Sequence, residues 1–329
     1  MFSSVIIPIW NKRPHIARAI HSVLSQSFQD FEIIAIDDCS TDGSIEELKK
    51  IHDPRIRIIV NTDGRPRGPG GARNLGISAA SGNYVSFLDA DDAWGMDYLR
   101  EMHRLSEMYQ SSGILACAHI VEGNSTLFSL SPYSRRYIGK GHHSLPLEQY
   151  LKLSIKGLHP LWTSVITVKK TIFEKTGVFP EGVVNSEDID LWLRIMAETT
   201  LAWSPYIGAT YFYNTVNKLT KHNLHNNYDL GPTFEKLIEE QDDARLVRLL
   251  KKHKNFYIVL KNVPKIKNGI KLKHGDLFGI SFIASPWLSL EAFLLLVLPV
   301  KISKLLLDIR RTVKNIPSLL LPEKLLNNL

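Results

Sequence analysis

Over its first ninety residues the chain alternates two patterns. Runs rich in β-branched residues ("VIIPI" at 5–9, "FEIIAI" at 31–36, "RIRIIV" at 55–60, "YVSFL" at 84–88) are separated by stretches whose apolar residues fall at helical spacing. Ile16, Ile20, Val23 and Leu24 share one helix face, with Pro14 in its first turn. Ala72, Leu75, Gly76 and Ala79 share another, small enough to let a helix lie close to its neighbour. "STDGS" signals a turn and helix cap before a third helix at "SIEELKKIH". Helices between strands predict a parallel sheet with crossover connections, not a meander of hairpins. Such a sheet takes its ligand beyond the carboxyl ends of its strands. Two of the strands end in acid there, at Asp37–Asp38 and in "FLDADD", 87–92.

Asp89 and Asp91 stand two apart, which in extended chain places both carboxylates on one side. A hard cation such as Mg²⁺ takes one or two carboxylates plus substrate phosphates, and would relieve the repulsion between the acids. A solvated turn after a strand reads equally well from the spacing alone. Asp38, Ser40 and Asp42 are likewise good turn and capping residues. "NTDGRPRGPGG" reads as a loop, and "GPGGARN" is not a dinucleotide fingerprint, since it follows the third strand and lacks the last glycine.

Further along, a helix is expected over 97–110, strands at "GILACAHIVEG" and "LWTSVITVKK", and a short helix at "KTIFEKTG". Residues 125–145 carry little pattern and read as a loop or hairpin. "SEDIDLWLRIMAE" reads as a helix, with Ser186 in the N-cap position and Ile189, Trp192, Leu193 and Met196 turned to the core. Strand-like "AWSPYIGATYFYN" follows.

Three of these blocks, taken together, resemble the family 2 glycosyltransferases: residues 4–44, "GGARNLGISAASGNYVSFLDADD", and "FEKTGVFPEGVVNSEDIDLWLRI". Their order and separation fit as well, over roughly residues 3 to 200. The resemblance implies an α/β fold of GT-A type, a mostly parallel Rossmann-like sheet flanked by helices. It implies a nucleotide-sugar-binding half (1–115) and an acceptor half (116–235). The expected reaction is transfer of a sugar, with inversion, from a UDP-sugar or similar donor to a hydroxyl of a glycan or lipid-linked acceptor, in cell-surface polysaccharide synthesis with Mn²⁺ or Mg²⁺.

By position, Pro8, Trp10 and Asn11 would line the nucleotide pocket, Asp38 would hold the base, and Arg73 would sit near nucleotide or phosphate. Asp89 would lie near ribose and cation, and Asp91 would be the main metal ligand. Asp188, paired with Glu187, would be the catalytic base. The chemistry suits these roles: a diphosphate leaving group needs counter-charge, and an acceptor hydroxyl needs a carboxylate to take its proton. Helix capping is the competing reading of Glu187–Asp188. Trp10 stands where the family usually has Tyr, and Arg65 and Arg67 enlarge the following glycine-rich loop. Residues 213–227 fall where relatives have a loop closing over the donor, with Lys218, Lys221, His222 and His225 available, His222 as a third metal ligand.

A nucleotidyltransferase is the alternative enzyme, but it needs a Gly/Arg/Lys-rich signature after the first strand that "PIWNKRPH" lacks. A non-catalytic nucleotide-sugar binder is the other alternative, and every acid that catalysis requires is present.

Charge is unevenly spread. Residues 251–329 hold 14 Lys/Arg against 4 Asp/Glu, although the whole chain is only +7. A helical, basic, amphipathic C-terminal extension (236–329) is expected, with "KISKLLLDIRRTVKN" as a basic amphipathic helix. The apolar stretch 281–302 is broken by Pro286, Glu291 and Pro299, short of the about 20 residues a spanning helix needs. Peripheral contact with the inner face of the cell membrane is expected, a contact between copies of the chain being the alternative. Nucleic acid is not, because the basic residues lack interleaved aromatics. The two cysteines, Cys39 and Cys117, and an N-terminus without a basic leader point to a cytoplasmic, reducing setting.

Overall fold

A computed structural model of the chain describes residues 1–122, 128–183, 186–216, 230–273, 277, 279–281 and 283–305. It divides into two compact units, Met1–Leu237 and Ile238–Leu329.

The first unit opens as β1 (Ser3–Ile9), α1 (Arg13–Leu24), β2 (Phe31–Asp37), α2 (Ser44–Lys49), β3 (Ile56–Val60), α3 (Gly68–Ala79) and β4 (Tyr84–Phe87). The four strands run parallel in the order β3-β2-β1-β4. The order reverses at β1: the chain moves outward to β2 and β3, then returns to the other side of β1 as β4. That reversal opens a crevice beyond the carboxyl ends of β1 and β4. In register, Ile9 of β1 pairs with Asp37 of β2, and Ile6 with Phe87 of β4. "FLDADD" therefore leaves the sheet at the crevice.

The rest of the unit comprises β5 (Ala93–Trp94), α4 (Tyr98–Met108), β6 (Ser112–Glu122), β7 (Phe128–Leu130), α5 (Pro132–Tyr137), β8 (His143–Leu145) and α6 (Leu147–Ile155). They are followed by β9 (Ile166–Lys169), α7 (Ile172–Thr176), α8 (Glu187–Glu198), β10 (Thr200–Phe212) and α9 (Gly231–Glu239). The sheet continues β4-β9-β6-β10-β5, with β7 on β6 and β8 on β10. β9 is antiparallel to both neighbours, whereas β6 and β10 are parallel to each other. The sheet is thus parallel in its first half and mixed in its second.

Several local expectations are revised. Helix α3 begins at Gly68, inside the stretch read as a loop. Pro69 is tolerated in the first turn, where no intrahelical N–H is needed. The free N–H groups of Arg67 and Gly68 donate to Asp38 Oδ1 and Oδ2, each at 2.9 Å. A carboxylate some thirty positions earlier in the chain therefore caps this helix. Gly76 then lets α3 close on β1: a Cβ there would lie 2.5 Å from Ile6 Cγ2. Ser186 precedes α8, but its side chain makes no cap bond and its φ is +68°. Ile189 is only half-buried, and Leu191 and Ile195 join Trp192, Leu193 and Met196 in the core. "LWT" is not strand: Thr163–Val165 form a 3-10 turn before β9.

The second unit contains α10 (Ala244–Lys267) and α11 (Pro286–Val297) around a small cluster of Val259, Ile266, Leu272 and Leu295. Asn255 ties it further, bonding both the N–H and the carbonyl of Ser281. Among the described residues no helix is long and apolar enough to cross a membrane. The expected basic helix over 301–315 lies mostly outside the described residues.

Candidate active site

A cleft of about 830 Å³ opens where β1, β2 and β4 end. Each strand delivers its next residues to it: Pro8 and Trp10 from β1, Asp38 from β2, Asp89 and Asp91 from β4. Arg67 and Arg73 enter from the start of α3, and Glu187 and Asp188 from the start of α8. All three non-glycine residues with left-handed φ among the described residues flank these points. They are Asn11 (+53°) after β1, Cys39 (+63°) after β2 and Ser186 (+68°) before α8. Backbone held there costs free energy and persists where surrounding contacts impose it, commonly at functional sites.

At the centre lies Arg73, its side chain only 5% exposed. Nη2 donates to Asp89 Oδ1 at 2.6 Å and Nη1 to Glu187 Oε1 at 3.2 Å. One guanidinium therefore ties the acids following β4 to those opening α8. Glu187 is buried; its carboxyl is pushed up to about 7 by burial and by the charge of Asp188, with Arg73 opposing. Asp188 is half-buried and also shifted up by burial, while Arg73 and the backbone N–H of Ile189 pull it down. Its Oδ2 accepts from Thr163 Oγ1 at 3.5 Å.

Asp91 is buried. Its Oδ2 accepts from Lys12 Nζ at 2.7 Å and from Thr215 Oγ1 at 2.6 Å, and its backbone carbonyl accepts from Arg18 Nη2 at 2.6 Å. Arg18 in turn stacks on the ring of Phe212 at 3.5 Å. Asp92 is buried, accepting from Ser164 Oγ at 2.7 Å and the Phe212 N–H at 3.3 Å. Burial, reinforced by Asp89 and Asp91, pushes its carboxyl well up. The three neighbouring acids thus have three environments: Asp89 faces Arg73, Asp91 faces Lys12, and Asp92 braces the β10 end.

Asp38 accepts from Asn61 Nδ2 and the Arg67 N–H on Oδ1, and from the Gly68 N–H on Oδ2. A carboxylate has about four acceptor positions, so one remains on Oδ2. Asn11 is not a cleft-lining residue; its Oδ1 accepts from the Thr41 N–H at 2.8 Å and fixes the loop after β2. His222, with Lys218, Lys221 and His225, lies outside the described residues.

The carboxylate oxygens of Asp89 and Asp91 are the ligand type a hard divalent cation takes. No group of three His, Cys, Asp or Glu stands ready to hold a metal among the described residues. Both acids carry a cationic partner that a metal would have to share or displace.

The pattern reading missed Lys12, Arg18, Thr215 and Ser164. Arg18 had a signal, being a charged residue within the apolar run of α1. The others reach Asp91 or Asp92 across chain separations of 72 positions or more.

Residues 4–157 match the family model described as glycosyl transferase family 2. A 215-residue segment is 31% identical to UDP-Glc:alpha-D-GlcNAc-diphosphoundecaprenol beta-1,3-glucosyltransferase WfaP of Escherichia coli, covering 64% of this chain and 76% of that one. The chain is a family 2 glycosyltransferase. A 204-residue segment of this glycosyltransferase is 43% identical to the putative teichuronic acid biosynthesis glycosyltransferase TuaG of Bacillus subtilis, over 61% of this chain and 74% of the relative. Among solved structures, S. aureus TarS 1–349 in complex with UDP-GlcNAc superposes with a TM-score of 0.69 at 18% identity, covering 86% and 83% of the two chains. The glycosyltransferase therefore has the GT-A architecture expected from its sequence.

Proposed function

We propose that the enzyme transfers a sugar from a UDP-sugar, with inversion, to a hydroxyl of a glycan or lipid-linked acceptor during synthesis of a cell-surface polysaccharide. The observation that carries this reading is the Asp89–Arg73–Glu187 bridge, which sets a nucleotide-facing strand end and a carboxylate pair of raised basicity in one cleft. The names of WfaP and TuaG support the polysaccharide setting, and the TarS complex supports UDP as the nucleotide.

Trp10 and Pro8 form the wall for the nucleotide base, and the remaining acceptor position on Asp38 Oδ2 takes a base N–H. Lys12 and Arg67 line the diphosphate end. Asp89 and Asp91 would hold Mn²⁺ or Mg²⁺, which when bound neutralises charge building on the leaving diphosphate. Asp188 takes the proton from the acceptor hydroxyl as it attacks the anomeric carbon from the face opposite the diphosphate. The upward shift of Asp188 makes it a stronger base than an exposed aspartate. Glu187 and Arg73 hold that helix start in place.

The second unit is proposed to rest on the cytoplasmic face of the membrane. It exposes Ile283, Leu290, Phe293, Leu294, Val297, Ile302 and Leu305, beside Lys301 and Lys304. Exposed apolar groups rimmed by lysine suit an anionic lipid surface.

The test is nucleoside diphosphate release from a panel of nucleotide sugars with Mn²⁺ or Mg²⁺. Asp188→Asn should lower transfer by about 10²–10⁴-fold while UDP affinity is kept. Transfer by Asp188→Asn near the wild-type rate would remove Asp188 as base, and activity surviving both Asp91→Ala and EDTA would remove the metal.

A further inference from the structure

The cationic lining of the cleft among the described residues comes from one part of the chain. Its lysine and arginine lining residues, Lys12, Arg67 and Arg73, all come from the first 73 positions, whereas its acids are Asp38, Asp89 and Asp91 together with Glu187 and Asp188. The stretch of lining contributed by residues 119–182, together with Tyr211, has no Lys, Arg, Asp or Glu among the described residues. Three rings stand there instead. His119 packs on Trp162 with centroids 4.5 Å apart, and Trp162 meets Tyr211 edge to face at 5.2 Å. Trp162 and Tyr211 are half-buried, so part of each ring faces open space.

His119 is 8% exposed, and its Nδ1 has no hydrogen-bond partner among the described residues. Burial pushes this imidazole down to about 4, so it is neutral at physiological pH. A buried polar nitrogen without a partner is unfavourable by itself, and the imidazole that carries it lines the cleft. Trp162 is followed directly by Thr163, whose hydroxyl reaches Asp188. The aromatic wall therefore adjoins the proposed base.

From these observations we infer that the acceptor end of the cleft takes a neutral sugar ring, one face lying on Trp162 and a ring substituent bonding His119. This rests on the glycosyltransferase reading above and narrows its acceptor class. The C–H face of a pyranose packs on an aromatic face, while its hydroxyls supply donors for an unprotonated imidazole nitrogen. A terminal uronate or polyol phosphate would bring a full negative charge to a wall that has no cation among the described residues and that adjoins the Asp188 carboxyl, and desolvating it there is strongly unfavourable. The aromatic wall thus sets which hydroxyl-bearing residue can sit beside Asp188, and the cationic lining is left to the donor.

The test is saturation-transfer NMR on the full chain with UDP and Mg²⁺. The probes are methyl glycosides of neutral hexoses and N-acetylhexosamines, methyl glucuronide, and glycerol 3-phosphate. Neutral glycosides should bind at least about tenfold more tightly than either anion, a gap of about 1.4 kcal/mol. Trp162→Ala and His119→Ala should each weaken neutral glycosides on the order of fivefold to tenfold, Trp162→Phe less so. UDP affinity by calorimetry checks that each variant is folded, and Trp162→Phe with His119→Gln serves if an alanine variant is not. Equal or tighter binding of either anion overturns the inference. So does unchanged glycoside binding in the folded variants, or binding of no neutral glycoside while UDP still binds. Failure of UDP and every nucleotide sugar to bind would instead overturn the glycosyltransferase reading of this cleft.

Discussion

Replacing Arg73 with methionine removes the guanidinium that bonds Asp89 at 2.6 Å and Glu187 at 3.2 Å. Breaking a buried ion pair by deleting one partner costs about 3–5 kcal/mol, because the other charge stays behind. Two features move this case to the low end. Asp89 is 28% exposed and can recover water. Glu187, already near 7, can take up a proton and remain as a neutral acid. A loss of about 3 kcal/mol is expected, which for a unit of this size lowers the melting temperature by about 6–12 °C. The loss should be larger near pH 8 than near pH 6, because the proton that relieves Glu187 is scarcer there. Thermal and urea unfolding of the full chain at both pH values is the assay. In a double-mutant cycle, Arg73→Met with Glu187→Gln should destabilise by at least about 1 kcal/mol less than the sum of the single changes. Arg73→Lys keeps the charge without the fork and should fall between. A single-variant loss under about 1 kcal/mol, or equal losses at both pH values, would refute the shared-cation account.

Further outcomes follow from the same geometry. The Glu187 carboxyl is raised from 4.5 to about 7, so between those values the folded chain keeps a proton that the unfolded chain has released. Stability therefore falls as pH rises through that window, by about 3 kcal/mol from this group, and Glu187→Gln should remove that part of the slope in pH-dependent urea unfolding. A slope unchanged by the substitution would contradict the burial argument. Lys12→Met strips the ammonium from Asp91, so titration calorimetry should show Mg²⁺ or Mn²⁺ binding several-fold more tightly; equal or weaker binding would show that Lys12 does not compete with a cation. Phe293→Asp with Val297→Asp, both exposed in the wild type, should weaken co-sedimentation with anionic liposomes, and undiminished binding would leave the membrane proposal without support.

The sequence carried most of the first half of the fold, and α8 beyond it, because the signals there are local. β1, β2 and β4 are apolar runs, and α1 and α8 repeat at helical spacing. What escaped depends on distant partners. α3 starts early because Asp38 caps it across about thirty positions. β7 and β8 have three residues each and exist by pairing with β6 and β10, so no periodicity of their own marks 125–145. The antiparallel insertion of β9 leaves no trace in a pattern that registers burial but not direction. In the site, the acids were visible as clusters, yet their separation into three environments was not. That separation comes from Lys12, Arg73 and Ser164, none of which the acid spacing reveals.

The contact between Gly76 and Ile6 bears on how such enzymes can be recombined. Any side chain at Gly76 would force the fully buried Ile6 side chain or α3 itself to give way by about 1 Å to restore ordinary contact from 2.5 Å. Arg73 lies one turn earlier on that helix and would travel with it, loosening its hold on Asp89 and Glu187 together. A chimera that imports the third helix from a relative, or the first strand alone, would break a mechanical fit before it changed any donor contact. The two segments form one cassette, and grafts meant to alter sugar preference have to carry both.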